Sequence, residues 1–343
     1  MAILVTGGMG YIGSHTCVEL LNAGYEVVIV DNLINSKLET LERIQKITEK
    51  TIKFYKINML DKQQLEQVFT ENSIDSVIHF AGLKSVAESV NMPLIYYRNN
   101  LLSTITLCEI MQKYQVKNLV FSSSASVYGI PKEVPISEES ILNVQSPYGR
   151  TKQIIEQMLG ELYQADQQWS ITSLRYFNPI GAHDSGKLGE DPLGEANNLM
   201  PNITNVAIGV RKTLQIFGSN YPTMDGTAIR DYIHVMDLAS GHVNALKKNM
   251  KSIGIGTYNL GTGNGYSVLE IINTFEKVTG IKVPYEVIEP RPGDVGICYA
   301  NPIKAQIELG WKPTRGIEEM CMDSWKWQVY RMKADISKVQ FSV

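Results

Sequence analysis

The chain has 343 residues, 44% of them hydrophobic and 20% charged, with a formal net charge of −3. That is enough apolar sequence for a large core and room for about two domains. The near-neutral balance, with Lys and Arg scattered, offers no basic field for nucleic acid or an anionic membrane. Cys17, Cys108, Cys298 and Cys321 are widely spaced and form no Cys-x-x-Cys pair. This argues against a disulfide framework or a zinc site and suits a reducing compartment. His15, His79, His183, His234 and His242 have no ligand spacing, so they are expected to be structural, and no metal is expected. No run approaches the ~20 apolar residues of a membrane span. The short apolar stretch before Gly7 does not read as a signal peptide. A cytoplasmic protein with no nucleic-acid or membrane partner is the expectation.

In chain order, apolar runs predict strands at Ile3–Thr6, Glu26–Asp31, Ile52–Lys56, Ser76–Phe80, Asn118–Ser122 and Ile171–Phe177. Helical patterns fall between them at Tyr11–Asn22, Asp61–Glu71, Pro93–Tyr114 and Tyr148–Ala165. Regular alternation of short apolar strands with helices predicts a parallel sheet covered on both faces. The two long helices carry apolar surface beyond the needs of one sheet, which suits a subunit contact. Residues 178–231 are rich in Gly, Pro, Asp and Asn, a texture typical of ligand-bearing loops. Ser267-Val268-Leu269-Glu270 is a capping box that opens a helix to about Thr279. A strand is predicted at Val283–Ile288, with helices at Pro302–Leu309 and Ile317–Tyr330. The fold class is therefore α/β: a Rossmann-type doubly wound parallel sheet over residues 1–177, with a smaller mixed α/β substrate domain over 178–343. Residues 232–260 are candidates to pack back on the first domain.

Two distant signals suggest the chemistry. Ile3–Thr6 runs into Gly7-x-x-Gly10-x-x-Gly13 and then a helix. Such glycines permit a tight turn, close approach of the backbone to a pyrophosphate, and close helix–strand packing. The helix N-terminus adds free N–H groups and partial positive charge. The next strand ends in Asp31, where a carboxylate suits ribose hydroxyls and repels a 2′-phosphate, favouring NAD over NADP. Far downstream, Tyr148-x-x-x-Lys152 puts a phenol and an amine on one helix face, with Ser124 at the end of an earlier strand. A phenol, with a reference pKa of about 10, is a poor base at neutral pH. A nearby ammonium and the positive ring of an oxidised nicotinamide both favour phenolate. Tyr148 is then able to take a proton from an alcohol as hydride leaves its carbon, with Ser124 bonded to the same oxygen. Either signal alone is common by chance; the pair points to hydride transfer.

Longer stretches carry a resemblance. Thr6–Gly13, Asp31-Asn32, His79-Phe80-Ala81-Gly82-Leu83-Lys84, Ser122–Gly129 and Ser146-Pro147-Tyr148-Gly149 resemble the extended short-chain dehydrogenase/reductases. Leu174–Pro179, Asn197–Pro201, Arg230–His234 and Arg291-Pro292-Gly293-Asp294 narrow the resemblance to the UDP-glucose 4-epimerase family, across nearly the whole chain to about Tyr330. The resemblance implies an isomerase that interconverts UDP-glucose and UDP-galactose through a 4-keto sugar, with NAD tightly bound and regenerated in each cycle. It implies Ser124, Tyr148 and Lys152 as catalytic residues. Its cofactor contacts are Gly7, Gly10, Tyr11, Ile12, Gly13, Asp31, Asn32, Asn35, Asn58, Phe80, Ala81, Lys84, Asn99, Ser122, Tyr148, Lys152 and Tyr176. For the UDP-sugar it implies Ser124, Asn178, Asn197, Asn198, Leu199, Phe217, Arg230, Tyr232, Arg291, Asp294 and Cys298. Two guanidiniums suit a diphosphate. It also implies a homodimer. Two positions depart from the family pattern: Asn58 stands where Asp is common, and Arg150 where Lys is common.

Cys298 occupies a position that is tyrosine in some family members and small in others. A small residue leaves room for an acetamido group at sugar C2, so UDP-N-acetylglucosamine and UDP-N-acetylgalactosamine are expected substrates as well. Four other readings stay open or are weighed against the residues. A UDP-pentose 4-epimerase differs only in pocket shape. A nucleotide-sugar 4,6-dehydratase needs an Asp-Glu pair after the serine, where Ala125 and Ser126 stand. A silent NAD-binding protein has no need of Ser124, Tyr148 and Lys152 together. A net-redox dehydrogenase consumes free NAD.

Overall fold

The computed structural model describes residues 1–194, 196–291 and 294–340, with side chains described up to residue 333. The first half alternates as expected: β1 (Ala2–Thr6), α1 (Tyr11–Asn22), β2 (Glu26–Asp31), α2 (Glu39–Thr48), β3 (Lys53–Lys56), α3 (Lys62–Glu71), β4 (Ile74–His79), α4 (Val86–Asn91), α5 (Pro93–Lys113), β5 (Asn118–Ser124), α6 (Pro147–Ala165) and β6 (Ser170–Tyr176). The second half runs β7 (Asn178–Ile180), α7 (Leu199–Ala207), β8 (Leu214–Phe217), β9 (Ile229–His234), α8 (Val235–Lys251), β10 (Gly254–Leu260), β11 (Gly265–Ser267), α9 (Val268–Thr279), β12 (Tyr285–Ile288), β13 (Ile297–Cys298), α10 (Ile303–Leu309) and α11 (Ile317–Gln340).

Seven strands form one parallel sheet in the order β10-β6-β5-β4-β1-β2-β3. Every residue of β1 is buried, as a strand covered on both faces requires. The two-residue alternation of side chains divides β1 between two cores. Ile3 and Val5 join a cluster with Cys17 and Leu20 of α1, Leu238 and Leu246 of α8, and Trp311. Ala2 and Leu4 join the opposite cluster with Leu65 of α3, Leu107 of α5, Leu159 of α6 and Trp169. The strand order reverses between β1 and β4, the position at which doubly wound sheets open a crevice beyond their C-terminal ends.

A second set of short strands packs beside that crevice. β9 pairs with β11 antiparallel, and with β7 and β13 in parallel. β8 pairs with β12. Their core includes Met200 and Ile203 of α7, Ile271 and Phe275 of α9, and Met320 of α11. The predicted capping box is present: Ser267 accepts from Glu270 N–H, and Glu270 accepts from Ser267 N–H.

The pattern did not locate α2, α4, α7, α8, β7–β11 or β13. Of these, α8 and β10 matter most to the sheet. The buried positions of α8 include Asp237, His242 and Asn249, which read as surface residues in a sequence. Asp237 accepts from Thr314 N–H, the Thr314 hydroxyl, Arg315 N–H and the Arg315 guanidinium, at 2.6–3.0 Å. Asn249 donates to the carbonyls of Leu119 and Ser170 and accepts from Thr172. These polar groups are buried because each is partnered.

Candidate active site

The glycine loop leaves β1 through Gly7, whose φ of 70° favours glycine. Gly7 N–H donates to Val30 O at 2.7 Å. A Cβ on Gly7 would lie 2.8 Å from Ala81 N, and one on Gly13 would lie 2.4 Å from Gly7 O. Any side chain at either position therefore forces the backbone apart. Gly10 caps α1 with no side-chain partner, and the first turn carries no acidic group. Free N–H groups and an uncompensated helix dipole remain at this end, a fit for a dinucleotide pyrophosphate. The Asp31 carboxylate braces the loop by accepting from Met9 N–H (3.1 Å), Leu33 N–H (2.9 Å) and the Ser36 hydroxyl (3.0 Å).

Most of the other expected cofactor residues open α1 or follow the C-terminal ends of β2, β3 and β4. Phe80 N–H donates to Thr6 O, and Ala81 N–H to the Thr6 hydroxyl. Asn100 holds Leu83 through both of its backbone groups, at 2.8 and 3.0 Å. Beside it, Asn99 is half-buried on α5. Tyr11 donates to Gly181 O at 2.7 Å, and Ile12 packs against the sheet core. Asn32 accepts from Ile34 N–H, Asn35 from Leu193 N–H, and the exposed Asn58 from Leu60 N–H. Tyr176 ends β6 and hydrogen-bonds His242 Nε2, while the Phe80 ring lies 4.7 Å from that imidazole. Burial lowers the His242 pKa to about 3, so the ring is neutral there.

Ser124, Tyr148 and Lys152 come together. Ser124 closes β5, and its hydroxyl accepts from Ser126 N–H at 3.1 Å and donates to the Ser126 hydroxyl at 3.0 Å. Tyr148 sits in the first turn of α6, which Ser146 caps through Gly149 N–H. The Lys152 Nζ donates to Ser122 O at 2.7 Å and lies 5.9 Å from the centre of the Tyr148 ring. Burial raises the Tyr148 pKa, and the Ser124 hydroxyl opposes the rise. Burial brings Lys152 down to about 8, with Glu156 opposing. The ammonium is turned to the Ser122 carbonyl, and desolvation of the phenolate outweighs the remaining contacts.

On the opposite wall, Asp294 joins two arginines. Arg230 donates to Asp294 Oδ1 at 2.8 Å, and Arg291 reaches Oδ2 through Nε and Nη2 at 3.2 and 3.0 Å. The Arg291 guanidinium also stacks 4.6 Å from the centre of the Phe217 ring. Pro292 and Gly293 lie outside the described residues. Tyr232 is buried in the smaller core, and its hydroxyl, pushed up to about 12 by burial, feels Arg230, Arg291 and Asp294. Cys298 is half-buried on β13, in register with Arg230. Asn178, Asn197 and Asn198 are exposed, and Leu199 is half-buried at the start of α7. Among the described residues no group of His, Cys, Asp or Glu is placed to hold a metal ion, and no helix is long and apolar enough to cross a membrane.

The family model described as GDP-mannose 4,6 dehydratase matches residues 4–324. A UDP-glucose 4-epimerase of Bacillus subtilis is 59% identical over 328 residues, covering 96% of this chain and 97% of that one. The chain belongs to the UDP-glucose 4-epimerase family of extended short-chain dehydrogenase/reductases. Two solved structures of that family superpose closely. The Bifidobacterium longum UDP-glucose 4-epimerase in complex with NAD+ and UDP is 51% identical, with a TM-score of 0.94 over 96% of this chain and 98% of that one. The Stenotrophomonas maltophila UDP-glucose-4-epimerase with bound NAD and formylated UDP-arabinopyranose is 47% identical, with a TM-score of 0.95 over 97% and 99%.

Several groups in this epimerase-family site escaped the motif reading. Glu190 accepts from Asn198 at 2.6 Å and pairs with Lys84 at 3.5 Å, so it ties the two walls together. Asp231 accepts from Thr262 N–H and hydroxyl, Gly263 N–H and Ala300 N–H, fixing the turns on either side of Cys298 and Arg230. The Tyr221 hydroxyl is buried without a hydrogen-bond partner beside Arg230, Arg291 and Asp294. Only Asp231 lay inside a quoted motif; for Glu190 and Tyr221 no local pattern signals the role.

The buried Lys152 also makes a stability prediction. Its folded pKa of about 8 lies below the value of about 10.4 for an unfolded lysine. Between these values the unfolded state binds more protons, so this group makes stability rise with pH. Lys152→Met removes a desolvated charge and should stabilise the protein at pH 7 by about 3 kcal/mol, with most of the gain gone by about pH 10.5. Urea unfolding of both proteins at pH 7 and pH 10.5 checks this, and an equal ΔΔG at the two pH values contradicts it.

Proposed function

We propose that the chain interconverts UDP-glucose and UDP-galactose at C4 with resident NAD. The convergence of Ser124, Tyr148 and Lys152 at the end of β5, beside the glycine loop, carries this reading. NAD, when bound, supplies a reversible acceptor for the C4 hydride. As phenolate, Tyr148 takes the proton of the sugar 4-hydroxyl while hydride leaves C4, and the phenol so formed returns that proton when hydride comes back. Ser124 bonds the same oxygen and is already in contact with the phenol. Lys152 places a positive charge next to that phenol and reaches the nicotinamide ribose. The glycine loop, Tyr11 and Ile12 face the pyrophosphate. Asp31 and Asn32 take the adenosine ribose, Asn35 and Asn58 flank the adenine end, and Phe80, Ala81, Lys84, Asn99, Ser122 and Tyr176 take the remainder.

For hydride to return to the opposite face, the 4-keto sugar must turn over while its nucleotide stays held. Arg230 and Arg291 are therefore assigned to the diphosphate, the one part that permits strong charge-assisted bonds remote from C4. Asp294 serves the uridine ribose, and Phe217 and Tyr232 border the uracil. Asn178, Asn197, Asn198 and Leu199 form the loop over the sugar. A dehydratase reading lacks its acid–base pair, since Ala125 and Ser126 follow Ser124. Pentose substrates are a second reading, favoured by the formylated UDP-arabinopyranose bound in the Stenotrophomonas relative.

A homodimer is also proposed. Leu94, Ile95, Leu102 and Ile105 of α5 are 80%, 51%, 45% and 38% exposed, an apolar row along one long helix. Covering it with a second copy gives a closed two-fold pairing.

Four measurements test these assignments. Incubation with UDP-galactose and no added cofactor should yield UDP-glucose without net NADH absorbance. Tyr148→Phe should lower kcat by about 10³-fold while NAD remains extractable; no conversion by the wild type despite extractable NAD sinks the reading in favour of a silent binder. The half-buried Cys298 should permit turnover of UDP-N-acetylgalactosamine, and Cys298→Tyr should abolish that while sparing UDP-galactose. A wild type that ignores the acetylated sugar refutes the pocket argument. Light scattering should give a dimer mass for the wild type and a monomer for Leu102→Glu/Ile105→Glu; a monomeric wild type removes the dimer.

A further inference from the structure

Behind the proposed catalytic groups lies a buried ionic network that the reaction as described does not use. Glu156 follows Lys152 by one turn of α6, so the two side chains share a helix face. Its carboxylate is held in a two-pronged pair by Arg175 of β6, with Nε to Oε1 at 3.0 Å and Nη2 to Oε2 at 2.6 Å. The Ser123 hydroxyl donates to Oε1 at 2.5 Å. The two charged side chains are 9% and 7% exposed. Arg175 Nη1 donates onward to the Tyr128 hydroxyl at 2.9 Å and to Glu138 O at 3.2 Å. Tyr128 in turn donates to Asn259 at 2.6 Å.

Burying such a pair costs desolvation on both partners, and a neutral replacement is often equally stable. Stability alone is thus a weak reason for its presence. Its location is more informative. Ser123 immediately precedes Ser124 on β5, and Glu156 stands one turn of α6 beyond Lys152, whose Nζ lies 5.9 Å from the centre of the Tyr148 ring. The other groups around Lys152 offer little charge. Tyr148 on its own helix is a phenol raised by burial. β5 contributes the Phe121 face at 4.9 Å and the Ser122 carbonyl. His79 of β4 and His242 of α8 are both brought down to about 3 by burial and stay neutral. β6 contributes the Tyr176 phenol and the Arg175 cation, which is paired with Glu156 and, unlike it, is not among the groups that shift Lys152. Glu156 is the carboxylate that acts on Lys152.

We propose that Glu156, held by Arg175 and Ser123, is a positioning residue that keeps Lys152 charged and thereby sets the alkaline limit of proton transfer by Tyr148. The pair fixes where the negative charge stands, and Ser123 couples that charge to the end of β5. This rests on the epimerase reading, because only a turnover that needs the Lys152 charge reports it.

The test is the pH dependence of kcat with saturating UDP-galactose, which reflects groups in the bound complex. Glu156→Gln keeps shape and removes the charge; its alkaline limb should fall at lower pH than the wild type by about one unit. Glu156→Asp keeps the charge and should leave the limb in place, even with a lower kcat. Where Glu156→Gln does not fold, the neutral pair Glu156→Gln/Arg175→Met replaces it, and its limb should also lie below the wild type. An unmoved limb in whichever charge-removing variant folds, with kcat reduced equally at every pH, shows a purely structural role and overturns the proposal. A wild type with no turnover of UDP-galactose instead overturns the reaction assigned above.

Discussion

A parallel sheet buried on both faces can present functional groups only at its strand ends, and the site described above follows from that constraint. With Ile3 and Val5 committed to one core and Leu4 to the other, β1 has no side chain free for chemistry. Its contribution begins at Gly7, where the chain turns. The same holds for Asp31 on β2, Phe80 after β4, Ser124 on β5 and Tyr176 on β6. Because the strands are parallel, these ends lie along one edge. Because the order reverses between β1 and β4, the connections part there and leave a crevice. The short strands around β9 complete the opposite wall.

Within that crevice the electrostatics oppose the chemistry the residues are assigned. Burial disfavours both the Tyr148 phenolate and the Lys152 ammonium. A dry site strengthens any charge interaction formed in it, and the same dryness makes each lone charge costly. The structure answers with local partners: a serine on the phenol, a carbonyl and a distant carboxylate on the amine. On the other wall, two guanidiniums share the carboxylate of Asp294, so their geometry is held by a salt-bridged triad rather than by solvent.

Much of this was legible in the sequence where one signal is local. Alternation placed all of the first six strands to within two residues at either end, because strands buried on both faces are continuous apolar runs. The glycine spacing marked the turn, and the capping box marked the start of α9. The second half was less legible for a physical reason. Asp237, His242 and Asn249 are buried through specific long-range hydrogen bonds, so α8 carries a polar signature on its inner side. β10 opens Gly-Ile-Gly, which reads as a turn until its pairing with β6 is known. Among site residues, motifs flagged the Tyr148 and Lys152 pair, whereas Glu190 and Tyr221 acquire meaning only through partners distant in sequence. The direction in which Tyr148 is shifted was also hidden, since it depends on burial rather than on spacing.

The return of the chain to the large sheet has a consequence for how the molecule is made. After β6 the backbone leaves for β7, α7, β8 and β9, and comes back as α8 and β10 to cover α1 and to close the sheet edge. A nascent chain ending before α8 leaves the apolar side of α1 uncovered, and one ending before β10 presents β6 as a bare edge. Both are surfaces that invite pairing with another chain. The sheet therefore cannot mature as an N-terminal unit while synthesis continues. Its completion waits on just over three-quarters of the polypeptide, and non-local closure of this kind is the slow part of assembling a parallel sheet.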